Sequence, residues 1–350
     1  MKLKNLLLIV LLAIISVPCK SFYSKQIKQT NLKAKKVNIR TIKLFDSSTD
    51  NIKVDSKIEF IGEDSADFKL EEQKLSSWVN FGLVLGTVLT ALYYLWINNA
   101  TGYGDDYIRS IEILCQGNSE KAVAVLLLIF AASHSGLASL RPIGEEIIGS
   151  RAWRVIFGVV SLPLALSCVV YFINHRYDGT ILWDFKNVVG MHELCWISSF
   201  VSFLFLYPST FNLLEVAAVN KPKLHIWETG IMRISRHPQF VGQFIWCFGH
   251  TLWIGSSFML ITSCLLMLHH LFAVWNGDRR LEEKYGEGFT SVKERTSVLP
   301  FQAIIEGRQQ IPKDYWKEFA RLPYIVIALA TVGAYYGHPF MQAGSYLLHW

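Results

Sequence analysis

Apolar residues run along this chain in long blocks separated by short polar stretches. The blocks at Trp78 to Ile97, Ala122 to Leu140, Trp153 to Ile173, Val188 to Tyr207, and Leu322 to Gly337 or beyond are each long enough to cross a bilayer as a helix. The run from Phe240 to Trp275 is too long for one crossing, and Gly255-Ser256-Ser257 within it predicts a tight helical hairpin. The pattern therefore predicts an all-α fold, a polytopic transmembrane helical bundle of about six to seven spans.

If Trp78 opens the first span, the Arg141 to Arg154 loop, the Asn212 to His237 loop and the Asn276 to Arg321 segment share one face with the N-terminal tail. That face carries most of the Lys and Arg, as the positive-inside tendency requires. The soluble segment after Asn276 contains DRRLEEKYGEGFTSVKERTSVLPF, which reads as a charged helix, a glycine turn and an interfacial stem.

The beginning of the chain follows a different pattern. Lys2 and Lys4 precede the apolar run Leu6 to Val17, which is too short to span, so residues 1–21 read as a signal peptide. Phe22 to Phe45 holds seven Lys or Arg and no acid, the balance of a transit peptide, and Asp46 to Glu72 holds nine acids against three lysines, a solvated linker. Residues 22–75 thus read as a transit peptide and polar linker, and 76–350 as the membrane domain; the same basic stretch would also suit secretion with a basic ectodomain. A signal followed by a transit segment resembles the bipartite presequence of plastids acquired by secondary endosymbiosis.

Composition sharpens the class. The 350 residues are 51% apolar and 13% aromatic, and their charge is segregated into a few stretches, which excludes an ordinary soluble domain. The six cysteines form no CxxC pair and no CxxCH haem-attachment signature, and four lie in apolar runs, so they read as buried small side chains or ligands.

Ionisable residues inside spans are costly and point to function. His134, in LLIFAASHSGLASLRPIGEE, lies about six residues, or roughly 9 Å, below the basic end of its span. His250, in SRHPQFVGQFIWCFGHTLWIG, lies on the order of 15 Å below the same face. Small neighbours such as Ala131, Ala132, Gly136 and Gly249 would let a flat macrocycle approach, so the two imidazoles suit axial ligation of haem. The same spacing suits hydrogen-bonded packing histidines. Cys247 precedes His250 by three residues on the same helix face, either as an alternate ligand or as an inert buried thiol. His237, beside Arg236 and Pro238, and the pair His269-His270 read as interfacial. His175, His192, His225, His338 and His349 receive no role.

Three long blocks, HSGLASLRPIGEEIIGSRAWRVIFGVVSLPLAL, LYPSTFNLLEVAAVNKPKLHIWETGIMRISRHPQFVGQFIWCFGHTLWIGSS and LFAVWNGDRRLEEKYGEGF, resemble the 15-cis-zeta-carotene isomerases, within a wider family that includes bacterial NnrU proteins. The resemblance covers roughly Trp78 to Trp350. It implies a multi-pass plastid-membrane enzyme of carotenoid biosynthesis that isomerises the central 15-15′ cis bond of 9,15,9′-tri-cis-zeta-carotene to give the 9,9′-di-cis form. It further implies haem b, bound non-covalently and active with reduced iron. By motif, its axial ligands fall on His134 and His250 and its alternate ligand on Cys247. The partners implied are the carotenoid, membrane lipid and other carotenoid enzymes, with no nucleic acid.

Two other readings stand beside it. RHPQFVGQFIWCFG followed by LEEKYGEGF also resembles isoprenylcysteine and phospholipid methyltransferases, in which Arg236, His237, Gly242, Glu282 and Glu283 would hold S-adenosylmethionine. Fold does not fix function. A non-catalytic membrane haem or redox sensor is the third.

Overall fold

The computed structural model describes residues 74–206, 228–320, 322–348 and 350. The signal peptide and nearly all of the transit segment and linker lie outside the described residues, as do His225 and most of the Asn212 to His237 loop. Within the described residues the fold is helical, and pairing of extended chain is limited to an isolated antiparallel bridge between Ile181 and Ser256.

The principal helices are α1 (Leu75–Leu92, running on through a π-helical turn Tyr93–Ile97), α2 (Gly104–Leu114), α3 (Ser119–Ile148), α4 (Ser150–His175), α5 (Met191–Leu206), α6 (Ile231–Ile234), α7 (Pro238–Ile254), α8 (Ser257–Tyr285), α9 (Glu287–Arg295), α10 (Gln302–Ile305) and α11 (Leu322–Tyr346). Among the described residues, four stretches are long and apolar enough to cross a membrane: Leu75–Ile97, Ser119–Ile148, Ser150–His175 and Ser257–Glu283. The apolar helix α5 is shorter, and α7 has 17 residues.

Polar stretches between the long apolar blocks are largely helical. Helix α3 continues through Arg141 and Pro142 to Ile148, and Gly149 alone, at φ +84°, separates it from α4. The indole of Trp153 packs against Gly144, where a Cβ would sit 2.0 Å from the ring, so the two helices close tightly at this end. The stretch after Gly102 forms α2, because Ile108 and Ile111, three residues apart, both bury on one face. Helix α8 runs on to Tyr285, so the expected soluble segment begins as a continuation of a span.

The bundle is paired α3 on α4 and α5 on α7, with α8 packed against both α3 and α7. Gly242 lets α7 approach the backbone of α5: a Cβ there would lie 2.6 Å from the Ser202 carbonyl oxygen. The main core cluster is made by α2, α3, α4 and α8 together with Trp96 and Trp350. Trp96 donates its indole N–H to Ser167 Oγ at 2.9 Å, and Trp350 donates to Asp105 while its backbone carbonyl accepts from Asn174 Nδ2 at 2.6 Å.

The expected hairpin between α7 and α8 is present and turns at Gly255. The Gly255 carbonyl accepts from the Leu182 amide at 2.7 Å, and Ser257 N–H donates to the Thr180 carbonyl at 2.9 Å, so the tip is stitched to the loop after α4. Gly255 sits at φ +69°, and a Cβ would stand 2.0 Å from the Trp183 carbonyl oxygen. Gly255→Ala is therefore expected to cost about 1–3 kcal/mol for the left-handed backbone alone, with the backbone clash added. Thermal unfolding of the detergent-solubilised protein measures this, and a midpoint equal to that of the parent would show that the turn can relax.

Candidate functional site

His134 projects from α3 into an aromatic enclosure. Phe130, one turn earlier on the same helix, lies 5.2 Å away between ring centroids, and Phe157 of α4 meets it edge-on at 4.8 Å. From α8, His269 faces it at 5.8 Å with the planes at 73°. Phe130 also touches His269, at 5.6 Å. The Nδ1 atom of His134 is buried and has no hydrogen-bond partner. A buried polar atom left unpaired costs free energy, so such atoms are rare and need a reason.

His269 and His270, expected at the interface, are both partly buried on α8, which runs on as a helix past the first charged residues. His269 meets His134, while His270, its ring 5.8 Å from that of His269, lines a cleft toward the start of α7.

His250, on α7, has different surroundings. Its ring stacks on Trp246 at 3.9 Å, and its Nδ1 lies 3.0 Å from the Trp246 carbonyl oxygen. A carbonyl only accepts, so Nδ1 carries the proton, and a neutral ring then leaves Nε2 as a free lone pair. Cys247 is buried, and its Sγ accepts from Gln243 Nε2 at 3.4 Å. Cys247 and His250 point roughly 60° apart around the helix, in keeping with a shared broad face.

Among the described residues no ring contact joins His134 to His250. Their levels differ. Thr251, next to His250, bonds Ser263 of α8 at 2.7 Å, whereas His134 meets His269. Ser263 and His269 are six residues apart, roughly 9 Å along the helix. The pair chosen from sequence thus falls on two helices that each pack against α8, with each imidazole in its own setting.

The basic end of α7 carries a second polar group of side chains. Asp278 of α8 accepts from Arg236 Nη2 at 2.7 Å and bonds His237 Nε2 at 2.7 Å. Arg236 also reaches the Thr296 carbonyl, at 3.3 Å. A cleft of about 230 Å³ opens beside them, lined by Arg236, His237, Gln239 and His270 among apolar neighbours. Asp278 escaped notice in the sequence. An acid just past an apolar run looks like ordinary surface until the Arg236-His237 pair is seen to fold back onto it.

The residues of the methyltransferase pattern are not gathered here. Glu282 pairs with Lys293 at 3.2 Å and Glu283 with Arg279 at 2.6 Å, all four side chains being exposed, and neither glutamate lines the cleft. Gly242 serves instead the close packing of α7 on α5. The cysteine reading holds among the described residues: all five are free, with Cys115, Cys168, Cys195 and Cys247 buried and Cys264 exposed.

Comparison with known proteins places this geometry in a family. The model of the NnrU protein family matches residues 122–344, which include His134, Cys247, His250 and His269. The 15-cis-zeta-carotene isomerase, chloroplastic, of Arabidopsis thaliana is 62% identical over 290 residues, 83% of this chain and 79% of the relative. Its namesake from Zea mays is 59% identical over the same extent. No solved structure matches the chain. On the family match and on this identity over most of its length, the chain belongs to the NnrU protein family, together with these plant isomerases.

Proposed function

We propose that this protein is a multi-pass membrane enzyme of plastids that isomerises the 15-15′ cis bond of 9,15,9′-tri-cis-zeta-carotene, giving the 9,9′-di-cis isomer. Its class is that of the relatives, a cis–trans isomerase. The chloroplastic designation of both relatives supports the location, and the four long apolar helices support a place in the membrane.

We assign it haem b, held without a covalent link. The observation that carries this assignment is the His134 imidazole itself, placed inside a long apolar helix and ringed by Phe130, Phe157 and His269. His250 would supply the second ligand, because the Trp246 carbonyl holds its Nδ1 proton and leaves the Nε2 lone pair unused, although its ring and that of His134 share no contact. Cys247, three residues before His250 on the same broad helix face, would be the alternate sulfur donor. Bound ferrous haem would supply a transient lowering of the order of the central double bond, without net oxidation. The chain's own part is to orient the imidazoles, to exclude water with Phe130 and Phe157, and to present an apolar environment to a polyene.

The test is direct. The protein is purified in detergent, its absorption is recorded oxidised and reduced, and tri-cis-zeta-carotene is added with and without dithionite. A Soret band with conversion confined to the reduced sample is expected. Conversion by haem-free protein would remove the cofactor from this account, and haem binding with no conversion under either condition would favour a sensor.

A further inference from the structure

An imidazole that holds a metal through one nitrogen is normally oriented through the other, whose N–H is donated to a fixed acceptor that also strengthens the ligand. On His250 the Trp246 carbonyl fills that place. On His134 it is vacant: Nδ1 is buried and unpartnered. Of the three rings that surround His134, Phe130 and Phe157 offer no acceptor atom, and only His269 does.

We infer that His269 is a positioning residue for His134, its neutral imidazole accepting the Nδ1 proton of His134 and so fixing the plane and donor strength of that ligand. The inference rests on the haem reading given above. Two imidazoles joined by one N–H···N bond have centroids roughly 5 Å apart, from a donor–acceptor distance of about 3 Å and the two ring radii. The observed 5.8 Å is within a small side-chain adjustment of that. An N–H···N bond leaves the angle between the two planes free, so the observed 73° is compatible with it. Phe130 touches both imidazoles and limits their rotation. No hydrogen bond engages the ring nitrogens of His269 among the described residues, so its acceptor is available.

An acceptor behind His134 makes that imidazole a stronger donor, which favours ferric over ferrous iron. His269 would thus help to set the potential at which the enzyme becomes active. His269→Ala in the full chain is expected to keep its haem and its six-coordinate ferric spectrum while the midpoint potential, read by spectroelectrochemistry, rises. His269→Gln, which restores an acceptor oxygen, should bring the potential back toward that of the parent. Should alanine cost the protein its haem, His269→Phe keeps the ring volume without an acceptor and must show the same rise.

An unchanged potential in haem-loaded Ala and Phe variants overturns the inference. A change to five-coordinate ferric haem also overturns it, since His269 would then be an iron ligand itself. Failure of the parent reading looks different: the unsubstituted protein would bind no haem, or His134→Ala would keep the parental spectrum.

Discussion

His134→Ala is expected to abolish isomerisation while leaving a folded protein. The imidazole makes no hydrogen bond through Nδ1, and its other neighbours are rings in van der Waals contact, so its removal leaves no new unpaired polar atom. The loss to stability is that of a partly buried side chain and the small void it leaves. The loss to activity is of another order, because outer partners of metal ligands already cost about 10–100-fold when removed, and the ligand itself should cost at least as much. Chromatography of the carotenoid product from reduced protein reads the first quantity, and the thermal unfolding midpoint reads the second. His175→Ala is the control, since His175 pairs only locally with Asp178 at 2.8 Å and stacks on Tyr171. Full conversion by the His134 variant would remove His134 from the site.

The largest loss of stability is expected at Asp278. Its carboxylate holds both Arg236 and His237, and the side chains of Asp278 and Arg236 are only 12% and 13% exposed. Breaking such a pair from one side leaves a charge in a poorly solvated place, which costs about 3–5 kcal/mol. In Asp278→Ala the guanidinium of Arg236 would keep only the Thr296 carbonyl at 3.3 Å. Asp278→Asn retains an acceptor and should lose less. Glu282→Ala, on the same helix as Asp278, breaks an exposed pair with Lys293 of α9 and should stay within about 0.5 kcal/mol of the parent. Equal midpoints for the Asp278 and Glu282 variants would show that water reaches Arg236 freely.

The sequence carried the order of the long helices and the hairpin at Gly255, because runs of apolar residues and a glycine turn are local signals. It also singled out His134, since a histidine with small neighbours inside an apolar run is conspicuous wherever the run is drawn. The partner of His134 was not legible. Which residue faces it depends on how α8 slides along α3, which no local signal gives. The run of α8 to Tyr285 carries Asp278 to the Arg236-His237 pair. Helix α2 is a weak local signal: Asp105, Asp106, Arg109 and Glu112 make it polar, and Ile108 and Ile111 mark its buried face.

The π-helical turn Tyr93–Ile97 places the side chain of Trp96 against Ser167 of α4. A π turn is an α-helix with one residue too many, and such surpluses arise by insertion. Deleting a single codon there would restore regular winding and swing the indole roughly 100° around the axis, away from its acceptor. This part of the gene should therefore accept exchanges of one apolar residue for another far more readily than any change in its length.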